Sequence, residues 1–99
     1  MKKIKKFKIK LYSNFTGKLI PISFNKGFPI KVKRIFFLYA KKNKTRGHHA
    51  HKKCSQIFFP IYGKMILNVQ TPKTKKNIVL KHLSKTAVLV PPKYWCSVK

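Results

Sequence analysis

The sequence predicts an all-β fold, on three observations. Short apolar stretches alternate with lysines, turn residues interrupt them about every 8–12 residues, and no stretch reads as an amphipathic helix of useful length. Phe7, Ile9 and Leu11 alternate with lysines as in a half-buried strand, and Ser13-Asn14 and Thr16-Gly17 mark the turn after it. Residues 19–24 read as a second short strand, broken by Asn25-Lys26-Gly27. The strongest strand signal lies at residues 30–39, with Val32, Ile35, Phe36, Phe37 and Leu38, and residues 41–45 follow as a polar loop. Residues 57–62 are an apolar run ended by Gly63. Pro60 inside that run argues for an edge position or a bulge, because proline donates nothing to a ladder. Residues 65–69 follow Gly63 closely enough to predict a hairpin. A loop at 71–76, strands at 78–83 and 87–90, and a rigid Pro91-Pro92 turn before Tyr94-Trp95-Cys96 complete the reading. Such a pattern suits a sandwich, a jelly roll or a small barrel. With no repeat, linker or composition shift, residues 1–99 read as one domain.

The composition limits the chemistry. The chain has 25 Lys+Arg and no Asp or Glu in 99 residues, a formal charge of +25. No side-chain carboxylate can act as general acid or base, orient a histidine, or hold Mg²⁺ or Ca²⁺. Proton transfer must therefore use His, Tyr, Cys or Lys. The apolar share of 43% is enough for a core, unlike that of a disordered basic tail. Partners should be anionic: nucleic acid, a phosphorylated small molecule or an acidic membrane surface. Two cysteines, Cys54 and Cys96, make no secreted disulfide framework and no zinc-type spacing. They read as buried small apolar residues. No apolar signal core follows the basic N-terminus and no stretch is long enough to span a bilayer, so a cytoplasmic protein is expected.

Three of the four histidines fall in Gly47-His48-His49-Ala50-His51. On a strand, His49 and His51 share a face, with Arg46 just upstream. Two imidazoles on one face make a proton-transfer pair, because unperturbed histidine titrates near neutrality. A neighbouring arginine can hold a phosphate or a developing enolate oxygen. The spacing alone also fits a metal-ligand pair, with His82 the other candidate ligand, or a solvated loop with no site chemistry. Trp95 beside Pro92 suits core packing better than stacking on a base or sugar.

The run Arg46-Gly47-His48-His49-Ala50-His51-Lys52-Lys53-Cys54-Ser55-Gln56 resembles the RGxHAHKxxxQ signature of the cupin-type dTDP-4-keto-6-deoxyglucose 3,4-ketoisomerases, the WxcM-like and FdtA-like sugar isomerases. The resemblance extends to Leu19-Ile20-Pro21-Ile22-Ser23-Phe24-Asn25-Lys26, to Lys33-Arg34 within the apolar run at 30–38, to Gly63, and to Val90-Pro91-Pro92-Lys93-Tyr94-Trp95. It implies a cupin-like β jelly roll, or double-stranded β-helix, that works as a homodimer without metal or other cofactor. It implies an isomerase of deoxysugar and surface polysaccharide (lipopolysaccharide) biosynthesis, moving a ketone from C4 to C3 of a dTDP-linked 6-deoxyhexose through an enediol. On the matching positions, His49 is the expected base and His51 its acid/base partner. Arg46 and Arg34 are the expected contacts to diphosphate or sugar oxygens.

The sequence departs from the family at several positions. The D-x-R-G turn appears as Asn14-Phe15-Thr16-Gly17, and a tyrosine pair as Phe36-Phe37, which leaves Tyr39 as the displaced phenol contact. Family members continue for several strands past the I-P-P-x-x-W turn, so a C-terminally truncated jelly roll is expected.

Two other classes fit the composition. A small basic β-barrel that binds nucleic acid would explain the charge, although Lys3-Lys5, Lys8-Lys10 and Lys73-Lys76 are scattered rather than gathered with aromatics on one face. Non-specific nucleic-acid binding at low salt is expected in either case. A non-catalytic cupin that only binds a nucleotide-sugar would keep the fold and lack turnover. Charge of one sign makes a salt prediction common to all these classes. Screening of the self-repulsion should raise the thermal unfolding midpoint by about 5 °C between ~0.01 and ~0.5 M NaCl. A flat or falling midpoint in a calorimetric salt series would show that repulsion does not limit the fold.

Overall fold

The structure is a computed structural model and describes residues 4–39, 41–42, 44–50, 54–71, 73–92 and 94–99, with the backbone alone for 46–50 and 95. Among the described residues there are nine strands and no helix, so the all-β expectation holds. In chain order they are β1 (Lys5–Lys8), β2 (Tyr12–Asn14), β3 (Gly17–Leu19), β4 (Arg46–Ala50), β5 (Gln56–Phe58), β6 (Lys64–Gln70), β7 (Lys75–Lys81), β8 (Thr86–Val90) and β9 (Trp95–Val98). One sheet has the order β1-β8-β5 and a second the order β4-β9-β6-β7, while β2 and β3 form a hairpin of their own. Every pairing is antiparallel.

The core lies between the two larger sheets. β6 and β7 alternate as half-buried strands should, with Leu67, Val69, Ile78 and Leu80 inward and Asn68 and Asn77 outward. Val88 and Val90 of β8, Tyr94, and Cys96 and Val98 of β9 close the same cluster, with Phe58 and Met65 packed at its margin. On the outer face of the second sheet the Asn68 amide donates to Asn77 Oδ1 at 2.6 Å and accepts from Gln70 Nε2 at 2.7 Å. The first sheet is covered on its outer side too. Phe7 lies opposite Ala87 and meets Phe28 edge-on at 6.2 Å, and Phe24 meets Phe28 at 5.2 Å. This explains how Ala87 is fully buried although it lies outside the central cluster.

Three sequence expectations change. Residues 30–39 contain no strand, and Ile35, Phe36, Phe37 and Tyr39 are exposed. β-propensity reports fit to a pleated, half-buried surface, and the run makes no ladder among the described residues. The hairpin expected at Gly63 is also absent. β5 pairs with β8, while β6 pairs with β7 and β9, so the chain changes sheets between Phe58 and Lys64. Pro60 ends the β5 ladder, and Gly63, at φ 81°, supplies the left-handed backbone that starts β6. The second predicted strand also contracts, because β3 stops at Leu19 rather than running on to Phe24. The hairpins that do form are β2–β3 and β6–β7, the latter closed by a Thr71–Thr74 hydroxyl contact of 2.7 Å.

Two predictions follow from this packing. Leu67, fully buried, should lose about 3 kcal/mol on substitution by Ala, whereas Phe36→Ala, at a residue 52% exposed, should stay within about 0.5 kcal/mol in urea denaturation. Similar costs at the two sites would contradict the assigned core. Burial also pushes the Cys96 thiol up from 9.0 to about 11. The folded chain therefore holds this proton more tightly than the unfolded one. The associated stability is complete below pH 9.0 and is lost as pH rises toward about 11. Cys96→Ala should show a smaller loss over that interval than wild type, measured as the difference between their denaturation midpoints.

Candidate active site

Strand β4 carries the first part of the histidine motif and, among the described residues, pairs only with β9, so it stands at one edge of its sheet. Its register is irregular. Arg46 lies opposite Val98 and His49 opposite Cys96, so three steps along β4 match two along β9. Residues three apart on a regular strand would fall on opposite faces. The extra residue of the bulge puts positions 46 and 49 on the same one. Positions opposed across an antiparallel ladder share a face, so both belong to the side that Cys96 and Val98 turn toward the core. The pairing of a cation position with a histidine position, expected from sequence, is thus achieved by a backbone irregularity rather than by alternation. His51 lies outside the described residues.

Strand β5 is the edge strand of the other sheet and follows β4 in the chain. Gln56 lies opposite Val90 and Phe58 opposite Val88, and both valines belong to the central cluster. Gln56 therefore occupies the inward face of β5, half-buried. The interior has an apolar side, formed by β6, β7 and β8, and the Gln56 position stands on its β5 side. Sequence analysis placed Gln56 in the motif without giving it a role, and it read Cys96 as a buried small residue without its neighbour. Only the strand register shows that Cys96, 47 positions after His49, is its cross-strand neighbour. The Cys96 thiol contacts the Tyr94 carbonyl at 3.7 Å and, with its raised pKa, stays neutral near pH 7.

The remaining candidates lie elsewhere. Arg34 sits in the strandless 30–39 run, exposed, with its guanidinium 5.8 Å from the centre of the Phe36 ring. Tyr39 ends the run at 89% exposure. His82 is at the base of the β6–β7 hairpin. Its Nδ1 accepts the Gly63 N–H at 3.0 Å and its ring stacks on Tyr62 at 5.5 Å. Among the described residues, no three His, Cys, Asp or Glu side chains gather as a metal site. Of the two cysteines expected to be buried, Cys96 is free in the core, whereas Cys54 is exposed and free. Two shallow surface clefts line the β2–β3 hairpin and the loop around residues 24–32, away from β4 and β5. No helix among the described residues is long and apolar enough to cross a membrane.

Known proteins share this architecture. The crystal structure of QdtA, a sugar 3,4-ketoisomerase from Thermoanaerobacterium thermosaccharolyticum in complex with TDP, superposes with a TM-score of 0.86 at 26% identity, covering 96% of this chain and 69% of that one. WlaRB, a TDP-quinovose 3,4-ketoisomerase from Campylobacter jejuni, has the same fold, with a TM-score of 0.85 at 24% identity over 100% of this chain and 76% of its own. In sequence, the TDP-4-oxo-6-deoxy-alpha-D-glucose-3,4-oxoisomerase of Aneurinibacillus thermoaerophilus is 38% identical over 48 residues. That match spans 48% of this chain and about a third, 34%, of the relative. These likenesses identify the two sheets as those of the cupin-type jelly roll that the motif resemblance implied. The family model described as WxcM-like, C-terminal (FdtA) matches residues 2–99, and the chain belongs to that family.

Proposed function

We propose that the chain is a nucleotide-sugar 3,4-ketoisomerase acting on a dTDP-linked 4-keto-6-deoxyhexose. The observation that carries this reading is the β4 bulge, which sets the Arg46 and His49 positions on one inward face of the family's jelly roll. In an acid-free chain proton transfer falls to His, Tyr, Cys or Lys, and of these the imidazole is the group whose ordinary titration lies near neutrality. His49 takes the C3 proton, and the electron pair moves into a C3–C4 double bond as O4 gains a proton, which gives the enediol. O3 then loses its proton, C4 gains one from His51, and the ketone stands at C3. The Arg46 guanidinium stabilises the oxygen on which negative charge develops or holds the diphosphate. The isomerisation is redox-neutral overall, and the reading calls for neither metal nor other cofactor.

Arg34 and Tyr39 are assigned to substrate contact as well, and both are exposed and open to a ligand. The reading also includes a homodimer, supported by the exposed apolar residues Ile35, Phe36, Phe37 and Leu38. It places the enzyme in the cytoplasm, in deoxysugar supply for surface polysaccharide such as lipopolysaccharide. The charge of +25 supports weak, salt-sensitive association with nucleic acid alongside this activity.

The test is NMR in D₂O with dTDP-4-keto-6-deoxyglucose at moderate salt. Deuterium should enter at the sugar and a 3-keto product should accumulate. His49→Ala and His51→Ala should each lower turnover by about 10²–10⁴-fold while circular dichroism stays unchanged. A folded wild-type chain that gives neither exchange nor product overturns the reading.

A further inference from the structure

The β6–β7 ladder ends at a cluster of side chains outside the histidine motif. Lys64 stands directly opposite Lys81, and both are exposed. Among the described pairings this is the one place where two cations face each other across a ladder. Like charges so placed destabilise a sheet, and the chain has no side-chain carboxylate to relieve them. An anionic partner would do so.

Beside this pair is an aromatic surface. The ladder continues for one more bond, from the His82 N–H to the Gly63 carbonyl at 2.9 Å. The His82 ring is fixed there, because its Nδ1 accepts the Gly63 N–H at 3.0 Å. Tyr62 stacks on that ring, with centroids 5.5 Å apart and planes inclined by 26°. Tyr62 is still 90% exposed, so the histidine steadies the phenol ring and leaves most of it open. A steadied ring two residues from a pair of cations matches what an extended nucleic-acid strand presents, a base to stack and a phosphate to neutralise. Duplex DNA would meet the lysines alone, since its bases are already stacked on one another.

We propose that Tyr62, His82, Lys64 and Lys81 form a binding site for single-stranded nucleic acid, in which a base stacks on Tyr62 and the adjoining phosphate lies against the lysine pair. The net charge of the chain produces an attraction that salt screens, whereas the ring adds a contribution that salt leaves in place. The site does not depend on the ketoisomerase reading and stands whether or not the chain turns over a sugar.

The experiment is fluorescence anisotropy of a labelled oligothymidylate of about 12 nucleotides with the full chain, over a series of NaCl concentrations. Tyr62→Ala should weaken binding by about 10-fold at every salt concentration and leave the slope of log K against log[salt] unchanged. Tyr62→Phe, which keeps the ring, should bind like wild type. Lys81→Gln should reduce the steepness of that slope by about 0.7, the share of one phosphate contact. Phe15→Ala, at a fully exposed aromatic in the β2–β3 turn, should change affinity by less than about 2-fold. Circular dichroism checks the fold of each variant, and Tyr62→Leu repeats the comparison if the alanine variant unfolds. Wild-type affinity in folded Tyr62→Ala overturns the proposal. Equal losses in Tyr62→Ala and Phe15→Ala also overturn it, because the attraction would then belong to the whole surface. Displacement of the oligonucleotide by dTDP at matched ionic strength overturns it too, since the strand would then occupy the sugar-nucleotide site. If Tyr62→Ala weakens attachment to phosphatidylserine vesicles and not to the oligonucleotide, the patch is a membrane contact and the proposal is wrong.

Discussion

The apolar contact between the two larger sheets has to hold the fold together unaided by ion pairs between side chains. A chain with no Asp or Glu gives its lysines no carboxylate to pair with, and the register even sets Lys64 directly opposite Lys81. Against that repulsion stand Leu67, Val69, Val88 and Val90, all nearly or fully buried, with Ile78, Leu80, Cys96 and Val98 around them. The chain crosses between the sheets after β4, β5, β7 and β8, so each crossing returns an apolar strand to the same interface. The polar groups in this layer sit at its β4–β5 side. There they leave intact the dry packing of β6, β7 and β8, on which stability rests.

The same division explains how a small fold can hold reactive groups. Edge strands are where a bulge is tolerated most easily, because only one neighbour must accommodate the extra residue. β4 is such an edge, and its bulge brings the Arg46 position to the face of the His49 position. Cys96, in register with the His49 position, contributes a small group that burial keeps neutral.

How much of this was readable in the chain depended on whether the signal was local. β6 and β7 follow from alternation, since Leu67 and Val69, and Ile78 and Leu80, each repeat at period two, and β8 follows from its short apolar run. The motif from Arg46 to Gln56 announced the family without any coordinates. What escaped was pairing. Nothing in the spacing says that Cys96 stands beside His49, or that β5 joins β8 rather than β6, because those are contacts between distant segments. The run at residues 30–39 failed for a related reason. Its β-branched and aromatic residues favour a strand, but a strand exists only with a partner, and the described sheets give it none.

That run has a consequence for how the protein behaves in solution. Ile35, Phe36, Phe37, Leu38 and Tyr39 form an exposed, uncharged stretch of high β-propensity, the kind of segment that joins chains edge to edge. Lys33 and Arg34 precede it and Lys41 and Lys42 follow, so like charges guard both ends. Colloidal stability is therefore electrostatic in origin. Added salt relieves strain within a molecule while it lowers the barrier between molecules, so resistance to unfolding and resistance to aggregation move in opposite directions as ionic strength rises.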